Sequence, residues 1–177
     1  VTTHRRENLG DPMHQVYRAL RRLVEAVPDT EVVFPVHRNP LVREAVSEEL
    51  EGVPGIHLVE PMEYEPFTNL MARSAIVLTD SGGIQEEAPS LGKPVLVLRD
   101  TTERPEAVEA GTVRLVGTNE EKVFETAYKL LTDDKEYRSM AEAVNPYGDG
   151  HAAGRIVDAL LWIEGISDKK PAKFIAK

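Results

Sequence analysis

The sequence predicts an α/β fold, a doubly wound parallel sheet covered by helices on both faces, and three observations carry the prediction. Short runs rich in Val, Ile and Leu recur at residues 31–36, 56–60, 75–79, 94–98 and 112–116. Their near-continuous apolar content suits strands buried on both faces. Segments of helical period separate them, with starts near Pro40, Pro66, Gly83 and Glu103, and strand–helix alternation is what parallel crossovers require.

Taken in order, Val1-Thr2-Thr3 reads as the end of a first strand, followed by a charged loop. Asp11-Pro12 opens a helix whose apolar positions Met13, Val16, Tyr17, Leu20, Leu23, Val24 and Val27 recur at three and four, so one face packs on the sheet. The five strands named above follow, with four helices between them. Beyond Asn119 three helical segments end the chain, with 145–150 (Asn-Pro-Tyr-Gly-Asp-Gly) as a breaker and 152–163 as a last amphipathic helix. Residues 1–166 form one expected domain, and the Lys-rich stretch 167–177 is expected to be a flexible, solvated tail.

At 177 residues, 41% hydrophobic and 29% charged, the chain can bury one good core. A net charge of -9 argues against nucleic-acid or anionic-membrane partners, which demand a surplus of Lys and Arg on one face. A small anionic ligand needs only a local basic cluster. There is no Cys, hence no disulfide or thiolate metal site, and the five His at 4, 14, 37, 57 and 151 show no paired ligand spacing. No apolar stretch approaches the roughly 20 residues of a membrane span, and a cytoplasmic location is the expectation. The chain opens on Val1 in what reads as mid-strand, which suggests a piece of a longer polypeptide and a sheet weakened at its centre.

The most informative segment is Thr79-Asp80-Ser81-Gly82-Gly83-Ile84-Gln85-Glu86-Glu87, a glycine turn that opens a helix directly after an apolar strand. Such a helix start leaves backbone N–H groups unpaired at the positive end of the dipole, an arrangement that binds phosphate. Glu86 and Glu87, a turn further in, suit the hydroxyls of a ribose or sugar. With strand order 3-2-1-4-5-6 the first and fourth strands are neighbours, and the crevice between their carboxyl ends is the topological switch point. The loops His4-Arg5-Arg6-Glu7-Asn8 and Asp80-Ser81-Gly82-Gly83 would then face one pocket, joined by residues 99–106 after the fifth strand. Arg and protonated His on one side and a helix start on the other would grip a diphosphate.

These segments, with Pro35-Val36-His37-Arg38-Asn39-Pro40 and 145–150, resemble the C-terminal half of the bacterial non-hydrolysing UDP-N-acetylglucosamine 2-epimerases, in order and over almost the whole chain. The resemblance implies a Rossmann-like domain, one of two in the glycosyltransferase-B architecture, with the active site in the cleft between them. It implies anti elimination of UDP to 2-acetamidoglucal and syn re-addition giving UDP-N-acetylmannosamine, in envelope polysaccharide synthesis, with no cofactor, no metal and a homodimeric full-length enzyme. Ser81, Gly82 and Gly83 match the diphosphate contacts. Glu87 matches the carboxylate that holds the ribose, with Glu86 as a charge favoured by the helix dipole. His4 matches a histidine beside the departing UDP, catalytic in stabilising charge or moving a proton; otherwise it is a loop histidine bonded to backbone. Arg104 matches an arginine reaching the nucleotide, against an exposed ion pair with Glu103 or Glu106. Phe67 matches the uracil neighbourhood, against a core aromatic. Arg5 and His37 match a second, activating UDP-N-acetylglucosamine site, although His37 could instead cap the helix at Pro40 and Arg38 departs from the family's uncharged residue.

The carboxylates that the resemblance assigns to proton transfer lie outside this chain, so the chain alone is expected to be inactive. Two other functions stay open, the donor-binding domain of a UDP-sugar glycosyltransferase and a non-catalytic nucleotide-sugar sensor. Against the first, Thr79 stands eight residues before Glu87, where retaining transferases often carry Glu. A hydrolysing epimerase is a nearer variant.

Overall fold

The computed structural model describes residues 1–174. Helix α1 (Asp11–Ala26) is followed by β1 (Val32–Pro35), α2 (Pro40–Leu50), β2 (Ile56–Val59), α3 (Tyr64–Arg73) and β3 (Val77–Thr79). Then come α4 (Gly82–Ser90), β4 (Val95–Val97), α5 (Pro105–Ala110), β5 (Val113–Leu115), α6 (Glu120–Thr132), α7 (Asp134–Ala141) and α8 (Ala152–Ile163). Every strand pairing is parallel, with Val32 opposite Ile56, Val77 opposite Val95 and Val95 opposite Val113. β1 and β2 form one ladder and β3, β4 and β5 another.

Thr2 joins the two ladders. Its N–H donates to the Leu78 carbonyl at 2.9 Å and its carbonyl accepts from Asp80, while the Val1 nitrogen donates to the Val33 carbonyl at 2.9 Å. The spatial order is therefore β2-β1-Thr2-β3-β4-β5, the order expected from the sequence, with the first strand reduced to a single bridge between Thr2 and Thr79. Behind that bridge a cavity of about 290 Å³ opens between β1 and β3, lined by Val33, Leu70, Ala75 and Ile76 among others.

Two apolar layers flank the sheet. On one face α1, α2 and α6 bury Tyr17, Leu20, Val42, Leu50 and Leu130 against Phe34, Leu96 and Leu98. Removing each such side chain from water stabilises the fold by about 1.5–3 kcal/mol. On the other face Met71 of α3, Ala88 of α4 and Ala107 of α5 pack on Val77, Val95 and Val97. Local chemistry sets the helix starts: Asn39 accepts from the Leu41 N–H, Asn119 from Lys122 and Asp133 from Lys135 and Glu136.

Three starts differ from the expected ones by one to two residues. α3 begins at Tyr64, because Pro66 falls in the first turn where no N–H is needed. α4 begins at Gly82. The helix expected at Glu103 begins at Pro105, since a residue before proline is pushed from helical angles and Arg104 sits at φ −125°, ψ 59°. α8 forms at 152–163 as expected, yet none of its residues is buried and Ile156, Leu160, Trp162 and Ile163 stand exposed. Of the expected tail, residues 167–174 carry no regular structure and 175–177 lie outside the described residues.

Candidate functional site

Because Thr2 pairs with β3, the loop that leaves it and the loop that leaves Thr79 are neighbours at the carboxyl end of the sheet. Asp80 fastens them. Its side chain is fully buried, and its carboxylate accepts from the backbone N–H of His4 at 3.0 Å, that of Arg5 at 2.9 Å and the Asn8 side-chain amide at 3.3 Å. His4 Nδ1 lies 3.1 Å from Asp80 Oδ1, and Arg5 Nε donates to the Asp80 carbonyl at 3.2 Å. Burial alone would raise the Asp80 pKa, but the hydrogen bonds from His4 and from the Arg5 and His4 amides outweigh it and hold the carboxyl below its ordinary value. The buried Asn8 also donates to the Leu98 carbonyl, tying the same loop to β4. Thr3, one residue upstream of His4, is held by the Tyr17 hydroxyl at 2.8 Å, so α1 braces the loop from behind.

The α4 start lies across this hub. Ser81 sits in extended conformation and makes no side-chain cap, while its own N–H donates to Thr79 Oγ1. The first-turn donors of α4 therefore point outward without a side-chain partner, as an anion site requires. The Arg5 guanidinium passes above them, with Nη2 3.9 Å from where a Cβ on Gly82 would lie. Beside them is a cavity of about 220 Å³ whose walls include His4, His37, Phe67, Ser81 and Met62. His4 and His37 stack with ring centroids 5.8 Å apart.

The structure thus brings His4, His37, Phe67 and Ser81 to one cavity, with Arg5 reaching over the α4 start at Gly82 beside it. Of the two residues expected at a second, activating site, His37 shares the cavity wall with His4, whereas Arg5 is not part of that wall. His37 Nδ1 accepts from the Asn39 N–H, while Asn39 itself caps α2. Phe67 is half-buried and also packs on the smaller apolar layer, so it serves core and crevice at once.

Glu87 and Arg104 lie off this cavity. Arg104 pairs with Glu86, not with Glu103 or Glu106, because Glu103 is already taken by Arg99. Glu87, one residue on, is half-buried with Oε1 near Gly83. Arg99 is only 8% exposed; it donates to Glu7 at 2.7 Å and to both Glu103 oxygens, and that pairing holds the Glu103 carboxyl down at about 2. Gln85, fully buried, accepts from the Thr102 hydroxyl at 2.6 Å and donates to the Ser81 carbonyl, locking the 99–106 loop to the α4 start.

Four residues that organise the site, Asp80, Asn8, Gln85 and Arg99, were not singled out as functional in the sequence. The signal available was a polar residue at a position where the pattern calls for an apolar one: Gln85 at the buried turn of α4 and Asp80 ending a buried strand. Among the described residues no group of three His, Asp or Glu is placed to hold a metal ion, and no helix is long and apolar enough to cross a membrane.

Fold and site together define a doubly wound α/β domain with an uncapped helix start and a cationic loop at the carboxyl ends of its strands. The sequence profile of the UDP-N-acetylglucosamine 2-epimerases matches residues 1–161, and the chain belongs to that family. The UDP-N-acetylglucosamine 2-epimerase of Bacillus subtilis is 55% identical over 177 residues, all of this chain and 47% of the relative. The S. aureus MnaA–UDP co-structure superposes with a TM-score of 0.92 at 48% identity, covering 98% of this chain and 48% of that one. The Neisseria meningitidis UDP-GlcNAc 2-epimerase bound to UDP-GlcNAc gives a TM-score of 0.86 at 51% identity, covering 90% and 43%. This chain spans about half the length of the curated relatives it matches. The Rossmann-like fold expected from the sequence is the fold it shares with these structures.

Proposed function

We propose that residues 1–166 are the UDP-binding domain of a non-hydrolysing UDP-N-acetylglucosamine 2-epimerase, a cytoplasmic homodimer in its full-length form that interconverts UDP-N-acetylglucosamine and UDP-N-acetylmannosamine. One observation carries the reading: the open first turn of α4 faces the His4–Arg5 loop across Asp80, with Phe67 on the adjoining wall. The Ser81, Gly82 and Gly83 amides hold the diphosphate and Arg5 covers it, with charge-assisted hydrogen bonds from both sides. Phe67 receives the uracil, Glu87 the ribose hydroxyls, and Arg104 the nucleotide once it leaves Glu86. Arg5 and His37 keep the alternative role of contacting an activating UDP-N-acetylglucosamine, next to the first ligand.

In the reaction a base removes the C2 proton, the C1–O bond to UDP breaks and a C1–C2 double bond forms. UDP then adds back after C2 is reprotonated from the other face. This domain stabilises the departing diphosphate, with His4 placed to neutralise charge or return a proton. The proton-abstracting carboxylate is assigned to the other half of the full-length enzyme, so the chain alone binds UDP without turnover.

Calorimetry of the chain with UDP and with uridine tests the binding role. UDP binding with amide shifts at Ser81, Gly82 and Gly83, and none with uridine, is the expected result; equal affinity for the two removes the diphosphate assignment. For the reaction, the full-length enzyme in deuterated buffer should form UDP-N-acetylmannosamine with deuterium at C2. Release of UDP without exchange at C2 would indicate sugar transfer or hydrolysis instead.

A further inference from the structure

Asp80 does more than close a loop. A buried carboxylate is satisfied by two or three donors, and here the His4, Arg5 and Asn8 N–H groups already supply that number. His4 Nδ1 is nonetheless turned inward to 3.1 Å from Oδ1, although the ring is 40% exposed and water was available to it. His4 lines the cavity together with Ser81 and Phe67, and its ring is stacked with that of His37. A carboxylate accepts and never donates, so the nitrogen beside it carries the proton.

We infer that Asp80 is a positioning residue for His4: it holds the ring with the proton on Nδ1 and presents Nε2 to the ligand. This rests on the proposed role of His4 beside the diphosphate. The same carboxylate fixes the backbone of His4 and Arg5 through their N–H groups and begins the turn into α4. One buried charge thus sets the ring's tautomer, its direction and the spacing between the cationic loop and the helix start. Free imidazole in water favours the other tautomer, with the proton on Nε2, so the partner of Nδ1 decides which nitrogen meets the ligand.

Long-range proton–nitrogen NMR of the imidazoles in this chain, at a pH where the rings are neutral, tests the inference directly. For His4 the expected result is protonated Nδ1 and bare Nε2 in the wild type, and reversal in Asp80→Asn, whose amide would donate to Nδ1. Bare Nδ1 in the wild type overturns the inference whether or not the variant folds. So does an unchanged tautomer in an Asp80→Asn protein whose amide spectrum shows it folded. Adding UDP to the same sample should shift His4 Nε2 and leave Nδ1 in place; UDP bound with the change at Nδ1 again overturns it. Absence of any UDP binding would overturn the proposed function, while the tautomer would still decide whether Asp80 positions the ring.

Discussion

On the sheet face covered by α1, α2 and α6 the buried side chains are large and apolar, from Tyr17 and Phe34 to Leu20 and Leu96. On the face covered by α3, α4 and α5 they are small, chiefly Ala88, Ala107 and valines, and at the carboxyl end of that side Asp80, Gln85 and Arg99 are buried beside them. The first face removes the most apolar area from water and carries stability. The second lets backbone approach backbone and spends its buried polar groups on loops. The main apolar core and the proposed binding role thus lie on different sides of one sheet, and substitutions should affect one without the other.

The strongest test is Phe34→Ala, on the first face. Phe34 is fully buried and touches Tyr17 with ring centroids 5.6 Å apart, so the loss should be about 3–5 kcal/mol in urea unfolding. UDP affinity of the folded protein should hold; a parallel loss of affinity would break the separation.

Next comes the acid response of the hub. The Asp80 carboxyl is held below its ordinary value in the folded chain, so its stabilisation is complete above the unfolded value of about 4. It is lost as pH falls from there through the lowered folded value. Asp80→Asn should therefore be less stable than wild type at neutral pH, with the gap closing on acidification. A gap that widens in acid would mean that Asp80 is protonated in the fold.

Arg104→Ala acts on the other side of the comparison. Its pair with Glu86 is half-exposed, so stability should move by less than about 1 kcal/mol. UDP affinity should fall about tenfold, near 1.4 kcal/mol. Unchanged affinity would return Arg104 to the role of a surface ion pair. The smallest effect is expected for Arg21→Ala on the outer side of α1, where the pair with Glu25 is exposed: within about 0.5 kcal/mol in unfolding, with no change in UDP binding.

Much of this was legible beforehand where the local signal was strong. The α1 periodicity from Met13 to Leu23 and the five apolar runs placed helices and strands within a few residues. The Asp80–Gly83 turn and the His4–Arg5 loop pointed to one crevice through strand order alone. Less legible was who pairs with whom. Arg104 had two carboxylates close by in sequence, Glu103 and Glu106, yet it pairs with Glu86, 18 residues away, while Arg99, 8% exposed, holds Glu103. α8 shows the same limit: its apolar residues are plain in the sequence, but no buried face results.

Periodicity, turn chemistry and strand–helix alternation depend on neighbours a few residues apart, so this chain's composition and order by themselves determined a parallel α/β sheet with a glycine turn opening a helix at residue 82. The joining of His4 to Asp80 spans 76 residues and that of Arg99 to Glu7 spans 92. Only the tertiary structure decided those pairings, because a buried charge takes whichever donors packing leaves beside it, and packing is settled by the whole core at once.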